Sequence, residues 1–431
     1  MAEQVSSLKT GIKYKSTPIG KIPVDWEVAR FKNIATAFYN GGTPDTTNKD
    51  YWNGSIPWIT GADFENQKVK TIRRYITPDG VKNSATSVIP KGNLLIVTRT
   101  GVGKVAIAPF DIAISQDITG VILDSQKASP EFIYWYFDFI SSKLKSTIQG
   151  TSISGLLRAD LEEVDLPLPV VAEQKKIAEI LTILDEAIEK TAQIIEKAKE
   201  AKKGLMQKLL TRGIGHKNFK KTEIGEIPVE WEVVKLGTLT ETITKGTTPT
   251  TYGFNFVEAG VNFIKVESID EKGNFIWMNI PHITEEANKA LNRSILRESD
   301  ILFSIAGALG RIAIVNKDLL PANTNQALAI IRLRKISETL IGYIKYFLLG
   351  PIIQGYIKKI AVQSAQANLS LTQINNFLLG LPTVHEQKQI VDILSSMDEE
   401  SEKETKNKER LESLRKGLMQ VLLTGKVRVS V

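Results

Sequence analysis

Residues 173–211 read EQKKIAEILTILDEAIEKTAQIIEKAKEAKKGLMQKLLT, a run of 39 residues with no proline and one glycine. Apolar residues recur along it at steps of three, four and seven, including Ile177, Leu181, Leu184, Ile188, Leu205 and Leu209. This spacing predicts one apolar stripe on a helix about 57 Å long. Such a helix cannot bury its stripe against itself, so it requires a partner.

A matching segment lies later in the same chain. Residues 382–424 are identical to residues 169–211 at 21 of 43 positions without a gap. Its apolar positions are Ile390, Leu394, Met397, Leu411, Leu418 and Leu422. We therefore predict two long helices packed as an antiparallel coiled coil, with these two sets of residues in the seam.

Two features of the predicted helix pair need a separate explanation. Residues 398–410 (DEESEKETKNKER) are polar even at the seam positions, so we expect loose packing there or contact with another subunit. Gly204 and Gly417 lie inside helices that otherwise avoid glycine, at a cost of about 1 kcal/mol each. Close helix approach is the expected reason, and docking of a partner protein is the alternative.

The repeat extends beyond the helices. Residues 17–28 (TPIGKIPVDWEV) and 222–233 (TEIGEIPVEWEV) are identical at nine of twelve positions. An internal repeat of 205–213 residues follows, and Trp26 and Trp231 are predicted to be packing anchors. We expect a mixed α+β fold in which two globular α/β domains alternate with the two long helices as a pseudo-two-fold repeat.

The repeat also sets the domain boundaries. We predict a flexible tail (1–16), a first globular domain (17–165), a first long helix (166–213), a linker (214–221), a second globular domain (222–378), a second long helix (379–425) and a tail (426–431).

Each globular domain shows the same skeleton in divergent sequence. Residues 93–108 and 300–315 predict a strand, a glycine-rich turn and a second strand. Residues 131–149 and 339–359 predict one helix each, rich in aromatic residues. We expect a mixed α/β core with a curved sheet in both domains.

Composition and motifs exclude several classes of protein. The chain has no cysteine, which excludes disulfides and thiol catalysis. It has no run of 18 apolar residues, so we expect a soluble, cytoplasmic protein. RTGVGK at residues 99–104 departs from a phosphate-binding loop at Thr98 and Val105, and three scattered histidines predict no metal site. No catalytic constellation is present, and we predict that the chain is not an enzyme.

The net charge of +7 is unevenly placed. Residues 17–165 carry 16 basic and 16 acidic side chains, and residues 222–381 carry 15 of each. A nonspecific DNA clamp would show a basic excess in its globular parts. Any DNA recognition must therefore come from a few placed residues.

Taken together, these features resemble the specificity (S) subunit of type I restriction–modification systems. The resemblance covers residues 17–425 and rests on the IGxIPVxW segments, the tandem order and two Pro…Glu-Gln…Ile helix starts. These starts are Pro169, Glu173, Gln174 and Ile177 in the first helix, and Pro382, Glu386, Gln387 and Ile390 in the second.

The resemblance implies a function and a set of partners. Each globular domain would be a target recognition domain that reads one half of a split double-stranded DNA sequence. The helix pair would set the spacing and dock two modification (methyltransferase) subunits, to which a restriction (translocase–nuclease) subunit can be added. S-adenosylmethionine, ATP and Mg are expected on those partners, and no cofactor or metal on this chain.

Candidate DNA-contacting residues follow from side-chain chemistry, because arginine and lysine suit guanine or phosphate while glutamine and asparagine suit adenine. In the first domain the candidates are Thr43, Lys91, Arg99, Thr100, Lys104, Gln116, Ser152 and Arg158. In the second domain they are Lys245, Thr247, Lys265, Arg311, Asn325, Gln326, Gln366 and Asn368.

Three alternatives remain open at this point. The chain could be the specificity part of a related split-site restriction system, a scaffold that joins two partner proteins without contacting DNA, or an enzyme with its own site. Neighbouring genes would separate the first, DNA-binding assays with the partner present the second, and binding of S-adenosylmethionine to the purified chain the third.

Overall fold

The computed structural model describes residues 13–148, 156–363 and 368–430. The chain forms two units, one running up to Ala192 and resuming at Lys406, the other made of Gln193–Thr405. Each unit contains one globular domain and part of both long helices.

All described strands of the first unit precede the first long helix. Its strands are β1 (Tyr14–Thr17), β2 (Gly20–Pro23), β3 (Glu27–Arg30), β4 (Ala35–Asn40), β5 (Trp52–Ile59), β6 (Phe64–Glu65), β7 (Lys68–Val69), β8 (Arg74–Ile76), β9 (Ser87–Ile89), β10 (Leu94–Val97), β11 (Val105–Ile107), β12 (Ile112–Ile114), β13 (Ile118–Leu123) and β14 (Asp165–Leu168). Its helices are α1 (Phe31–Ile34), α2 (Pro78–Lys82), α3 (Pro130–Ile148) and α4 (Arg158–Glu162), followed by α5 (Val171–Arg212), which continues into the second unit.

The second unit repeats this order with fewer strands. Its strands are β15 (Phe219–Thr222), β16 (Gly225–Pro228), β17 (Glu232–Lys235), β18 (Thr240–Lys245), β19 (Val261–Ile264), β20 (His282–Ile283), β21 (Ile301–Ser304), β22 (Ile312–Ile314), β23 (Ala322–Thr324), β24 (Leu328–Leu333) and β25 (Leu378–Leu381). Its helices are α6 (Leu236–Leu239), α7 (Glu285–Ala290), α8 (Glu338–Leu349), α9 (Pro351–Gln363), α10 (Leu371–Asn375) and α11 (Val384–Leu422), whose later part belongs to the first unit.

Two four-stranded sheets, not one curved sheet, form the first domain. Their orders are β11–β10–β13–β4 and β8–β5–β12–β9, with only β5 and β12 parallel. Leu95 and Val97 of β10 share a core with β5, β9 and β12 of the second sheet, while Leu94 and Ile96 pack with α3. Strand β10 (LLIV) is apolar throughout because both of its faces are covered.

The second domain has the same three layers. Its sheets are β18–β24–β21–β22 and β20–β19–β23, and β19 is parallel to β23. Ile301 and Phe303 of β21 share a core with α8, whereas Leu302 packs with β19 and β23 through Ile264 and Ala322. The divergent sequences therefore keep one architecture, with a helix, a sheet and a second sheet in layers.

Three predicted boundaries are wrong. Residues 14–17 form strand β1, and residues 219–222 of the predicted linker form β15. The single helix predicted over residues 339–359 is two helices, α8 and α9, that meet at 43°. Pro351, which has no N–H to donate, begins the second of them.

No single helix within residues 13–148, 156–363 and 368–430 has the length and apolar content needed to cross a membrane. The bent pair of α8 and α9 meets that criterion jointly.

The long helices begin and end within two residues of the segments 173–211 and 382–424, but the predicted domain bounds 166 and 379 are wrong, because strands β14 and β25 occupy the first residues of those ranges. Most of the predicted seam is covered. Eight seam residues are buried: Ile177, Leu181, Leu184, Ile188, Leu209, Ile390, Leu394 and Leu422. The other four are half-buried: Leu205, Met397, Leu411 and Leu418. No residue of 398–410 is buried, in line with the polar sequence of that stretch.

Gly204 and Gly417 do not mark a close helix approach. A Cβ atom added at either position would meet no heavy atom within 4 Å. Both residues are exposed. Close packing inside this chain therefore fails to explain the two glycines.

Contacts inside the first unit give the relative direction of its helix segments. Arg415 of α11 pairs with Asp185 of α5. Arg428, six residues beyond the end of α11, pairs with Glu173 near the start of α5. A later residue of the α11 side thus contacts an earlier residue of α5. The two helix segments of the first unit therefore run in opposite directions.

In the second unit, the segments of α5 and α11 also run in opposite directions. Lys202 of α5 pairs with Asp398 of α11, which also accepts a 2.9 Å hydrogen bond from the Tyr346 hydroxyl. The N–H of Ile214, just past α5, donates a 2.8 Å hydrogen bond to Glu386 near the start of α11.

Candidate nucleic-acid interface

A carboxylate at the start of α5 anchors the first domain. The indole N–H of the buried Trp26 donates to Glu173 Oε2 at 3.2 Å. Arg428 donates to both oxygens of Glu173, at 2.6 and 2.7 Å, and to Asp25 at 2.8 Å. The bonds to Glu173 and then to Asp25 raise the pKa of Arg428 above its usual value. Residues near 428, predicted to be a tail, therefore hold the start of the first domain.

The second domain is anchored in the same way with different donors. Trp231 donates to Glu386 Oε2 at 2.9 Å. Glu386 Oε1 accepts from the Ile214 N–H and lies 2.9 Å from Nε2 of His216. The other ring nitrogen of His216 lies 3.1 Å from Glu230, at the repeat position of Asp25. His216 thus takes the place that Arg428 has in the first unit.

The first and last strands of each globular domain pair with each other, so the domain begins and ends at neighbouring residues. Strands β3 and β14 pair with Arg30 opposite Asp165, and β17 and β25 pair with Lys235 opposite Leu378. Each domain is therefore inserted into the rest of its unit through a two-stranded antiparallel ribbon.

Several candidate residues meet at one edge of the first domain, where β4, β5, β10 and β12 end. Gly42 donates to the carbonyl of Ile114 at 3.0 Å, and Ser115 donates to Ile59 at 2.9 Å. Thr98 donates to Asp117 at 2.8 Å. These backbone bonds place the loops that carry Thr43, Arg99, Thr100 and Gln116 side by side.

A threonine and a glutamine pair on this edge. Thr43 Oγ1 donates to Gln116 Oε1 at 2.5 Å, and both side chains are exposed. The loop of Thr43 reaches this position because Gly41 has no Cβ, which would lie 2.0 Å from the Ser115 carbonyl. The glutamine amide group keeps its two N–H donors for a ligand.

The second domain repeats the pair. Thr248 Oγ1 donates to Gln326 Oε1 at 2.7 Å, and a Cβ at Gly246 would lie 1.6 Å from the Thr324 carbonyl. Thr248, which was not among the predicted residues, is the counterpart of Thr43. Aligning GTTP with GGTP places Thr248 there, so the signal was available in the sequence. The predicted Thr247 instead accepts a 3.3 Å hydrogen bond from Arg293.

Lys104 and Arg311, predicted to present their charges to DNA, point into their own domains. The Lys104 ammonium donates to the carbonyls of Gly61 and Phe64 at 3.0 and 3.1 Å. Arg311 donates to the carbonyls of Val266 and Ile269 at 3.3 and 2.8 Å, the same positions of the second repeat. Each basic side chain satisfies carbonyls of the short turn after β5 or β19, and this bonding is a structural role.

The remaining candidates are scattered. Lys91 lies at the opposite end of β10 from Arg99, and Arg158 bonds Glu162 at 2.6 Å. Lys265 lies 4.7 Å from the centre of the Phe256 ring, and Asn325 accepts from the Ala327 N–H at 3.1 Å. Lys245 and Asn368 are exposed. Ser152 and Gln366 lie outside the described residues.

Asp63, Thr60 and Arg73 form a hydrogen-bonded cluster near the edge of the first domain. Asp63 accepts from Arg73 Nε at 2.5 Å and from the hydroxyl and N–H of Thr60 at 2.9 and 2.8 Å. Burial alone would raise the pKa of Asp63, but the bonds from Arg73 and Thr60 outweigh it and lower the pKa below its usual value. The Arg73 guanidinium is therefore paired with a carboxylate of its own domain.

Comparison with known proteins gives one consistent result. The family model described as the type I restriction modification DNA specificity domain matches residues 23–200 and 228–413. The specificity subunit of the type I restriction enzyme MjaVIII of Methanocaldococcus jannaschii is 30% identical over 421 residues, covering 95% of this chain and 94% of that protein.

Two solved structures share the fold. The S subunit of the type I restriction–modification system from M. genitalium matches with a TM-score of 0.57 and 16% identity, over 96% of this chain and 99% of that one. The HsdS subunit from Thermoanaerobacter tengcongensis matches with a TM-score of 0.50 and 19% identity, over 95% of this chain and 100% of that one.

Proposed function

Because the chain belongs to the family of type I restriction–modification specificity subunits, we propose that each of its two domains reads one half of a split double-stranded DNA target. The observation that carries this proposal is the threonine–glutamine pair, Thr43 with Gln116 and Thr248 with Gln326, which recurs at the same edge of both domains. A glutamine amide can bond the N6 and N7 positions of adenine in the major groove. The loops around the two pairs differ in sequence, so the two half-sites differ as well.

The balanced charge of the domains supports selective reading over tight nonspecific binding. With equal numbers of acidic and basic residues in each domain, the two domains contribute little to the counterion release that drives nonspecific affinity. Most of the affinity for the phosphate backbone then comes from the partner subunits.

We further propose that α5 and α11 form an antiparallel coiled coil that sets the distance between the half-sites. The opposite directions of the helix segments within each unit support it, as do the buried seam residues. A helix of 42 residues is about 63 Å long. Half-sites one helical turn of DNA apart, about 34–36 Å, lie within that length and leave a gap of several base pairs between them.

The outer surface of these helices is the proposed docking site for two methyltransferase subunits. Gly204 and Gly417 occupy the same repeat position, are exposed, and have open space where a Cβ would be. A partner helix that packs closely over each glycine would explain why both helices tolerate the lower helix propensity of glycine.

The chemistry belongs to the partners in this proposal. The methyltransferase subunits bind S-adenosylmethionine, the restriction subunit uses ATP and Mg, and this chain is not a catalyst. The assembly works in the cytoplasm, where the cellular DNA lies.

The test is methylome sequencing of cells with and without this chain, alongside binding of the purified chain plus methyltransferase to DNA. We expect a two-part motif with an unspecified gap whose methylation requires the chain. Methylation that does not change when the chain is removed, or a continuous motif, would contradict the proposal.

A further inference from the structure

A cleft of about 590 Å³ opens beside the first domain's edge. Its lining includes Thr46, Trp52, Asn53, Arg74 and Tyr75. The indole N–H groups of Trp52 and Trp58 donate at 3.0 Å to the carbonyls of Asp45 and Gly42, in the loop that carries Thr43. The cleft and the Thr43–Gln116 pair therefore share one supporting loop.

An irregular strand builds this cleft. The pairing of β5 with β8 shifts register between Trp52 and Ile56, both of which face Ile76. Asn53 has a φ of 61°, and a Cβ on Gly54 would lie 2.4 Å from the Ile76 carbonyl. Bulges of this kind redirect side chains and occur often near functional sites. Here the bulge lies beside Trp52, which is half-buried and lines the cleft.

Arg74 lies over the ring of Trp52. It is the cross-strand neighbour of Trp58 in β5, and its guanidinium carbon lies 5.6 Å from the centre of the Trp52 ring and 6.0 Å from that of Trp58. The two rings meet edge to face at 5.3 Å. Among the described residues, no acceptor takes a hydrogen bond from Arg74, whereas its neighbour Arg73 is held by Asp63.

We infer that Arg74 reads a guanine base in the half-site of the first domain, an inference that rests on the proposed function. The cation–π contact places the guanidinium at the cleft without using its N–H donors. Its planar fork matches the O6 and N7 acceptors of guanine. A phosphate also accepts such a fork, but the cleft shares its supporting loop with the Thr43–Gln116 pair, the proposed base-reading site, and this favours a base edge.

The second domain supports this inference by contrast. Phe263, at the repeat position of Trp58, contacts Phe256 at 5.6 Å, and Lys265 lies over Phe256. Both domains therefore place an aromatic ring at this strand position, in contact with a second ring that lies under a cation. Lysine lacks the fork of arginine, so base discrimination at this position belongs to the first domain.

The experiment uses the full chain assembled with its methyltransferase and measures binding to targets that carry each single-base substitution. Arg74→Ala should lower the preference for guanine at one position of one half-site roughly tenfold or more and leave every other position unchanged. Arg74→Lys should lower it likewise, because it keeps the charge and loses the fork. Lys21→Ala, which removes an exposed charge from β2, is the matched control and should keep the preference.

Two outcomes would overturn the inference. If Arg74→Ala weakens binding equally on all DNA sequences and Arg74→Lys binds like wild type, Arg74 contacts a phosphate. An unchanged preference in both variants would mean that the cleft does not read DNA. Loss of the proposed function is separate, because the wild-type assembly itself would then show no sequence preference.

Discussion

Two carboxylates, Glu173 and Glu386, anchor the domains. Each accepts a hydrogen bond from a tryptophan indole at the same repeat position, but their other donors differ. Glu173 is held by the two nitrogens of Arg428, whereas Glu386 is held by a backbone N–H and the imidazole of His216. The repeat thus preserves the carboxylate, the tryptophan and the neighbouring acid, and varies the other groups that bond the carboxylate. A buried carboxylate needs its oxygens satisfied, and more than one donor set does this.

The edges that carry the threonine–glutamine pairs differ much more than the anchors. Both edges keep the threonine–glutamine pair and the basic residue that satisfies the turn carbonyls. The first edge then adds the cleft of Arg74, and the second adds the Lys265–Phe256 contact. Repeats thus agree where a domain meets the helices and diverge where it faces outward.

The largest expected effect separates the two anchors. Glu173→Ala should destabilise the first unit by up to about 3–5 kcal/mol, because it leaves Arg428, whose side chain is 16% exposed, with Asp25 as its remaining carboxylate partner and leaves the Trp26 N–H without its acceptor. Glu386→Ala should cost about 1–3 kcal/mol, because it strands hydrogen-bond donors. Chemical denaturation with hydrogen exchange resolved by unit measures both.

The control for this comparison is Glu179→Ala, which removes an exposed ion pair with Lys176 and should change stability by less than about 1 kcal/mol. Equal losses for Glu173→Ala and Glu386→Ala would show that the identity of the donor does not matter.

The next effect tests the role of Lys104 and Arg311. Lys104→Ala or Arg311→Ala should lower the stability of its own domain by about 1–3 kcal/mol, because two carbonyls lose their donor. Arg99→Ala, at an exposed position of the same edge, is the control and should leave thermal unfolding unchanged. If the Lys104 variant unfolds like wild type and only loses DNA binding, the structural role is wrong.

A smaller effect tests whether the two glutamines act independently. Gln116→Ala should reduce discrimination at one half-site by about 1–2 kcal/mol, and Gln326→Ala should do so at the other. Competition binding with half-site variants measures the loss. A change at both half-sites from one substitution would show that the two edges are coupled.

The smallest effect concerns the exposed glycines. Gly204→Ala and Gly417→Ala should each raise the stability of the isolated chain by up to about 1 kcal/mol, because no atom obstructs the added methyl. Both should weaken assembly with the methyltransferase, measured by titration of the subunits. Unchanged assembly would remove the glycines from the docking surface.

The sequence was sufficient for the features that depend on pattern. The helix stripe and the duplicated segment predicted both long helices within two residues, and Trp26 and Trp231 were correctly assigned as buried anchors. The break before Pro351 could also have been predicted, since proline cannot donate a hydrogen bond within a helix. It was missed because the apolar pattern on both sides of Pro351 is typical of one continuous helix.

Other features depend on contacts that local pattern does not encode. Arg428 meets Glu173 across 255 residues of sequence, so nothing near either residue indicates the pairing. Lys104 looked like an exposed cation on a glycine-rich turn, but the turn directs it to carbonyls 40 and 43 residues earlier. Arg74 gains its role from a bulge in the neighbouring strand, and a bulge leaves no periodic signal.

The central claim is that each domain reads one half of the target while the helices fix the gap. Its most direct test exchanges residues 30–165 for the first domain of another family member, with cuts at the cross-strand pair Arg30 and Asp165. Methylome sequencing should then show one new half-site, an unchanged second half-site and an unchanged gap length. If both half-sites or the gap change, the division of labour between domains and helices proposed for this chain is contradicted.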